Sequence, residues 1–186
     1  MTIKEKPSDA LIYEFPHNVD TVYDEGVSKF HLEHRGQWVI SDEVEVKESE
    51  ESNEGRKLVA DRYVVRDYPK VFGNLFPRRQ LMIHTETWVP DGAGGYKGSY
   101  TCDVQDAPVL VEGEMTLKPV GNGCELRTLT TVTAKMPIIG KRVEKYIIGQ
   151  TRSQYWDQLH YLDMRIAGTP DLLPRDTSKY PLPKNK

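Results

Sequence analysis

Three turn-forming segments between residues 79 and 136 constrain the fold more than any other feature of this chain. Their sequences are Pro-Asp-Gly-Ala-Gly-Gly (90–95), Gln-Asp-Ala-Pro (105–108) and Val-Gly-Asn-Gly (120–123). Glycine, proline, asparagine and aspartate are the residues that hairpin connections favour, and the intervening segments alternate apolar with polar residues. The pattern predicts a four-stranded antiparallel meander. Its strands are expected at 79–89, 96–104, 109–118 and 124–136.

The same alternation predicts how the four strands pair. We place Val89 opposite Tyr96 in the first hairpin, and the next two hairpins follow with the pairs Val104–Val109 and Leu117–Leu126. A slip of one residue would exchange the two faces of a strand, so the register decides which side chains lie inside. With this register one face carries no charged residue. That predicted inner face includes Ile83, Thr85, Tyr100, Cys102, Val111, Met115, Thr128 and Thr130.

The first part of the chain predicts one strand and two short helices. Residues 10–15 form an apolar run that ends at a proline, as a short strand would. Asn18 is a favourable N-cap for the helical pattern that follows, and Gly26 divides this pattern into two short helices.

Two further strands and a long C-terminal helix complete the predicted elements. Residues 38–47 and 57–67 alternate as half-buried strands, with the acidic stretch 48–55 predicted as a loop between them. Residues 141–166 repeat apolar side chains every three to four positions, which indicates an amphipathic helix. Its apolar stripe comprises Val143, Ile147, Thr151, Tyr155, Leu159, Leu162 and Ile166.

Length and charge exclude several classes of protein. A chain of 186 residues with a net charge of -3 suits one globular domain and lacks the broad basic surface that nucleic-acid binding requires. No apolar run approaches the roughly 20 residues of a membrane span, and the N-terminus has no apolar signal segment. Cys102 and Cys124 lack metal-site spacing. We expect a cytoplasmic protein without metal or other cofactor, with one domain at 9–167 and a Pro-rich tail at 168–186.

The order of strand, two short helices, six strands and long helix resembles the START-like, or SRPBCC, superfamily, which includes birch-pollen allergens and polyketide cyclases. Four segments resemble more narrowly a mainly actinobacterial family of unknown function within it: RYVVRDYP (62–69), TETW (85–88), VLVEGEMTL (109–117) and MPIIGKRVEK (136–145). The resemblance covers about residues 10–166. It implies an α+β helix-grip fold, in which a curved antiparallel sheet of about seven strands wraps around the C-terminal helix.

The resemblance also implies a cavity between sheet and helix that holds a hydrophobic small molecule, such as a lipid, sterol or polyketide. Because the predicted inner face offers hydroxyls and a thiol but no charge, it suits binding better than acid–base catalysis. We expect a soluble binding or transport protein; the alternatives are a cyclase- or hydratase-like enzyme and a non-catalytic domain with a filled core. The candidate ligand-binding residues are those of the inner face together with Arg62, Val143, Ile147 and Tyr155.

Three polar features of the predicted sheet leave alternatives open. Arg62 shares a strand face with apolar neighbours, so it either binds an anionic group or pairs with acidic residues outside. The register places His84, Thr101 and Glu112 side by side on the outer face, with Glu86 and Glu114 nearby, which favours a solvated carboxylate–histidine pair over a catalytic one. Cys102 then has no histidine on its face, which favours an inert packing role.

A cluster of large apolar residues between two prolines is a candidate portal. It consists of Phe72, Leu75 and Phe76. These side chains either form a lid at the cavity mouth or cover the end of the sheet as core. Basic residues at Lys70, Arg78 and Arg79 flank the cluster and would favour transient contact with an anionic membrane.

Overall fold

Seven antiparallel strands form one sheet that is packed against three helices. The computed structural model describes residues 10–34, 41–65, 68–72, 76–105 and 107–168. The strands are β1 (Leu11–Phe15), β2 (Ser41–Ser52), β3 (Gly55–Val65), β4 (Arg79–Pro90), β5 (Tyr96–Val104), β6 (Val109–Val120) and β7 (Gly123–Ala134). The helices are α1 (Val19–Gly26), α2 (Lys29–His34) and α3 (Gly140–Ile166), with a short 3-10 turn at Lys70–Phe72. The strand order β1-β7-β6-β5-β4-β3-β2 confirms the predicted helix-grip architecture.

Helix α1 begins and ends where its capping and breaking residues predict. The Asn18 side chain accepts a hydrogen bond of 2.7 Å from the Thr21 amide, which satisfies one free donor of the first turn. α1 ends at Gly26, where an added Cβ would lie 2.9 Å from the Leu162 side chain. The glycine therefore both ends the helix and lets it approach α3 closely.

The long helix α3 lies across the concave face of the sheet, and its predicted bounds are confirmed to within one residue. Val143 and Ile147 near its start and Leu159 and Leu162 near its end are all buried. Gly168 follows the last turn with a φ of 79°, a conformation that favours glycine at a helix C-terminus. Residues 169–186 of the predicted tail lie outside the described residues.

The acidic stretch predicted as a loop is strand instead. β2 extends to Ser52 and β3 begins at Gly55, so only two residues connect them. Lys57 lies 2.9 Å from Glu48, and Arg56 lies 2.6 Å from Glu51. These cross-strand ion pairs offset the charge repulsion that made the stretch resemble a loop. Residues 38–40 of the predicted strand lie outside the described residues.

The predicted register is confirmed for two hairpins of the meander and is wrong by one residue for the first. Val109 pairs with Ala134, and Tyr100 pairs with Gly113, as predicted. In the first hairpin, however, Tyr96 pairs with Pro90 instead of Val89. The slip exchanges the two faces of β4. Its buried residues are Gln80, Met82, His84, Glu86 and Trp88, whereas Ile83 and Thr85 lie on the opposite face.

The loop between β4 and β5 accounts for the slip. The Asp91 amide donates to the Gly95 carbonyl at 2.9 Å, so Pro90 ends the strand and the loop has one residue fewer than predicted. The Asp91 carboxylate accepts hydrogen bonds from the Ala93 and Gly95 amides, and these bonds lower the pKa of Asp91. Proline is tolerated at a strand end, where the missing N–H removes no interior ladder bond.

Two glycines of the inner face make room for aromatic rings on the neighbouring strand. A Cβ at Gly98 would lie 2.6 Å from the Trp88 ring, and one at Gly113 would lie 2.0 Å from the Tyr100 ring. Each glycine is the direct cross-strand partner of the ring that covers it. The two rings thus lie flat against the sheet and leave space above it, below α3.

Candidate functional site

A cavity lies between the inner face of the sheet and the middle of α3. The space that the centres of water molecules can occupy inside it is about 40 Å³. Because one water needs roughly 10–15 Å³ of such space, the cavity has room for about three waters. Strands β3 to β6 and helix α3 supply its lining, which consists of Arg62, Val64, Met82, His84, Glu86, Tyr100, Cys102, Val111, Thr151, Gln154, Tyr155 and Gln158.

A second cavity, of about 30 Å³, adjoins the first below α1. The two share Glu86, Tyr155 and Gln158 as walls, and the second extends to His31 and Trp88. A thin layer of side chains therefore separates two unfilled spaces along the inner face of α3.

The main cavity has an unusually polar lining for a site so deeply buried. Arg62, His84, Glu86, Gln154 and Gln158 each expose 8% or less of their surface. Burying such groups costs free energy unless they find partners. The alternation of β3 and β4 points the first three inward, and α3 supplies the two glutamines one turn apart.

Three side chains in one wall of the cavity, those of Cys102, His84 and Glu86, form a hydrogen-bonded chain, and Trp88 binds its acidic end. His84 Nε2 lies 2.9 Å from Glu86 Oε2, and His84 Nδ1 lies 3.0 Å from Cys102 Sγ. Trp88 Nε1 donates to the other Glu86 oxygen at 2.7 Å. An imidazole tautomer with its proton on Nε2 would donate to the Glu86 carboxylate and leave Nδ1 to accept a hydrogen bond from the thiol.

The backbone explains why these three side chains meet. His84 and Glu86 are two residues apart on β4, so both point to the inner face. Cys102 is the direct cross-strand partner of His84 in the observed register. The ring of Tyr100 lies 6.0 Å from the imidazole at an angle of 18°, which limits how far the histidine can tilt. The sheet thus holds the chain of hydrogen bonds in place.

Hydrogen-bond donors from two other elements line the same cavity. The Gln154 amide nitrogen makes no hydrogen bond within the described part of the chain, although the residue is 7% exposed. The Arg62 guanidinium reaches the cavity from β3. By contrast, the Tyr100 hydroxyl is engaged with Thr130 at 2.8 Å, and Tyr155 donates to Met115 Sδ at 3.3 Å. The cavity wall therefore includes a guanidinium and an amide, side chains of the kind that bind an anionic or carbonyl oxygen.

The structure brings together only part of the predicted binding set. Five predicted residues line the cavity: Arg62, Tyr100, Cys102, Val111 and Tyr155. Met115, Thr128, Val143 and Ile147 are buried but do not line it, and Thr130 is half-buried beside Tyr100. Placing Ile83 and Thr85 inside was wrong, because the slip of β4 turns both to the outer face.

Sequence reasoning missed the residues with the most polar chemistry. His84 and Glu86 were assigned to the outer face, where a carboxylate and an imidazole would have been solvated. Gln154 and Gln158 were passed over on α3, although 151, 154, 155 and 158 share one helix face by their spacing. Amide side chains within an otherwise apolar stripe were the available signal.

The two described residues of the candidate portal, Phe72 and Phe76, are not among the side chains that line the cavity. Phe72 and Phe76 are 4% and 6% exposed. Phe72 packs against Tyr146 of α3 with ring centroids 5.5 Å apart, and Phe76 packs against Tyr68 at 4.6 Å. These contacts support the alternative that both phenylalanines are core. Leu75 lies outside the described residues, and a lid function stays a prediction.

The part of the chain that the structure describes contains neither a metal site nor a helix that could span a membrane. No group of three or more His, Cys, Asp or Glu side chains among these residues is arranged to hold a metal ion. None of the described helices combines the length and apolarity needed to cross a membrane.

Comparison with solved structures places the fold among START-like proteins. The chain is similar to TTHA0849 from Thermus thermophilus, with 15% identity and a TM-score of 0.61 over 86% of this chain and 96% of that one. It is also similar to the Zhui aromatase/cyclase from Streptomyces sp. R1128 (10% identity, TM-score 0.56, 85% and 92% covered). A third similar structure is that of human STARD10, with 16% identity and a TM-score of 0.53 over 94% of this chain and 72% of that one. At these identities the likeness establishes the fold alone.

Sequence comparison gives the narrower relationship. No curated protein sequence matches this chain. The expected kinship to a mainly actinobacterial family stays a prediction. One family model, described as "Protein of unknown function (DUF2505)", matches residues 11–162 and therefore nearly all of the described domain. The chain belongs to this DUF2505 family.

Proposed function

We propose that this protein binds a small molecule with an apolar body and an anionic or carbonyl oxygen in the cavity between the sheet and α3. Arg62 and Gln154 contact the oxygen, while Val64, Met82 and Val111 pack against the apolar part. A lipid, a sterol-like or a polyketide-like compound fits this description. The net charge of -3 argues against a nucleic-acid ligand, and a cytoplasmic location remains our expectation.

One observation carries the proposal: buried polar side chains, Gln154 among them, form part of the wall of an unfilled space. A domain with a filled core would be more stable with apolar side chains at these positions, because a buried polar group without a partner costs about 1–3 kcal/mol. The Gln154 amide nitrogen, buried at the cavity wall without a hydrogen bond among the described residues, is such a group. A ligand oxygen would satisfy it.

A ligand larger than a few waters requires the middle of α3 to move outward. Apolar side chains anchor the helix at both ends, with Val143 and Ile147 at one and Leu159 and Leu162 at the other. Between these anchors the helix faces the cavity, and Gly149 weakens the helix there by about 1 kcal/mol relative to alanine. The adjoining cavity below α1 offers further space for such an expansion.

The test is a fluorescence titration with 8-anilinonaphthalene-1-sulfonate, an aromatic probe with one anionic group. We expect saturable binding of one probe per chain. Arg62→Met should weaken it about tenfold or more, because a hydrogen bond to a charged group contributes about 1.5–3 kcal/mol. Arg79→Met is the matched control, since Arg79 stacks on Tyr63 at 3.9 Å outside the cavity. Absent saturation, or equal losses in both variants, would refute the proposal.

A second candidate function is an enzyme that uses the same cavity, as in a cyclase- or hydratase-like reaction. The observation that favours it is the hydrogen-bonded pair of His84 and Glu86 inside the cavity. A positioned imidazole is the usual general base. The similar Zhui structure is that of an aromatase/cyclase, which lends this candidate support by fold analogy only.

A further inference from the structure

We propose that Cys102, His84 and Glu86 form a nucleophilic triad that accepts an acyl group from a small ester or thioester entering the cavity. The proposal rests on the proposed function in one respect, since a small molecule must be able to enter. It goes further by assigning a covalent step to a specific sulfur atom.

The distances match the arrangement that activates a cysteine. A base within hydrogen-bond reach of the nucleophile, itself oriented by a third group, is the recognisable geometry of such a site. Here the base His84 contacts Cys102 Sγ at 3.0 Å and Glu86 at 2.9 Å, on opposite sides of the ring. Trp88 fixes the carboxylate with a 2.7 Å hydrogen bond. All three members of the triad line the same cavity.

The second cysteine shows what a purely structural thiol looks like in this protein. Cys124 is 2% exposed and makes no side-chain hydrogen bond within the described part of the chain. Burial, with a smaller contribution from Asp163, raises the pKa of Cys124 to about 11. Such a thiol stays protonated and unreactive at neutral pH. Neither cysteine is in a disulfide, so the two differ in their surroundings alone.

The chemical step balances without any oxidant or added cofactor. His84 Nδ1 takes the thiol proton, and the Cys102 sulfur forms a bond to the carbonyl carbon of the substrate. The bond from that carbon to the leaving oxygen or sulfur breaks, and the proton on Nδ1 passes to the leaving group. An S-acyl cysteine and an alcohol or thiol result. Attack by water, with His84 again taking the proton, releases a carboxylic acid and restores the thiol.

Two side chains that carry N–H groups lie in the wall of the same cavity and are assigned to the oxygen on which charge develops. The Gln154 amide and the Arg62 guanidinium both line it. Donors held in place in a buried site of low dielectric constant stabilise such an oxyanion more strongly than bulk water does. Glu86 acts through His84 and is a positioning residue, whereas Cys102 and His84 touch the reacting atoms.

The experiment uses p-nitrophenyl acetate and the whole chain. We expect a burst of one p-nitrophenolate per chain and, after proteolysis and mass spectrometry, one acetyl group on Cys102. Cys102→Ala should abolish the burst, and His84→Gln should slow it about a hundredfold, the lower range for a general base. Glu86→Gln should slow it less, and Glu86→Asp, which keeps a carboxylate, should recover part of that loss. Cys124→Ala is the matched control and should leave the burst unchanged.

Three results would overturn the triad. They are the absence of a burst in the unsubstituted protein, acetylation of Cys124 at the rate of Cys102, and an unchanged rate in a folded His84→Gln variant. Acetyl mapping on the unsubstituted protein decides the matter even if a variant fails to fold. Titration of the same preparation with the anilinonaphthalene probe separates the two proposals. A protein that binds the probe without acetylating Cys102 refutes the triad and leaves the binding function standing.

Discussion

Substituting Gly113 by alanine tests the inner face at the point where the structure is tightest. The new Cβ would lie 2.0 Å from Cε1 and 2.4 Å from Cζ of Tyr100, well inside contact distance. The ring must therefore leave the sheet surface and give up its 2.8 Å hydrogen bond to Thr130. Overpacking costs about 1–3 kcal/mol and a neutral hydrogen bond about 0.5–1.5 kcal/mol, so we expect a loss of about 2–4 kcal/mol.

Urea denaturation followed by circular dichroism measures this loss. With a typical dependence of about 2 kcal/mol per molar urea, the midpoint should fall by about 1–2 M. The matched control is Gly149→Ala on α3, where a Cβ meets nothing within 4 Å. The same chemical change should there raise stability by up to about 1 kcal/mol, because alanine is the better helix former.

The reasoning is refuted if Gly113→Ala shifts the midpoint by less than the error of the measurement. A second comparison guards against an unrelated cause. In a Tyr100→Ala background the ring is absent, so Gly113→Ala should cost little further stability. A full loss in that background would show that something other than the Tyr100 ring restricts position 113.

Three further predictions address the register, the pH dependence and the ligand. Met82→Asp should unfold the protein or lower its stability by several kcal/mol, because it buries a charge. Ile83→Asp on the outer face should lower the stability less. Thermal melts compare the two melting temperatures, and a lower value for Ile83→Asp would contradict the observed register. Burial, together with the hydrogen bond to Asp20, raises the pKa of Tyr96 to about 12. The folded state therefore keeps the phenol proton to a higher pH than the unfolded state does. The free energy of unfolding should fall as the pH rises from about 10 to 12. Urea midpoints across that range should show a shallower fall in Tyr96→Phe. Native mass spectrometry should detect a small molecule released on denaturation, with lower occupancy in Arg62→Met; equal occupancy would exclude Arg62 as a ligand contact.

Local sequence patterns by themselves determined most elements of this protein, with the acidic stretch 48–55 as the exception. Asn18 and Gly26 bound a short helix because capping and helix-breaking depend on neighbouring residues only. The apolar spacing of α3 and the pairing of β5, β6 and β7 were predictable for a similar reason. Those strands alternate cleanly, so only one register buries their apolar residues.

Only the tertiary structure decided the face of β4 and, with it, the candidate site. Both faces of this strand mix apolar and polar residues, with Ile83 on one and Met82 on the other, so alternation alone did not separate them. The closing of the loop at Asp91 set the register. His84 and Glu86 are stable inside because they bond to each other and to neighbours on the same sheet. That mutual satisfaction of buried polar groups depends on atoms distant in sequence, and no single strand reveals it.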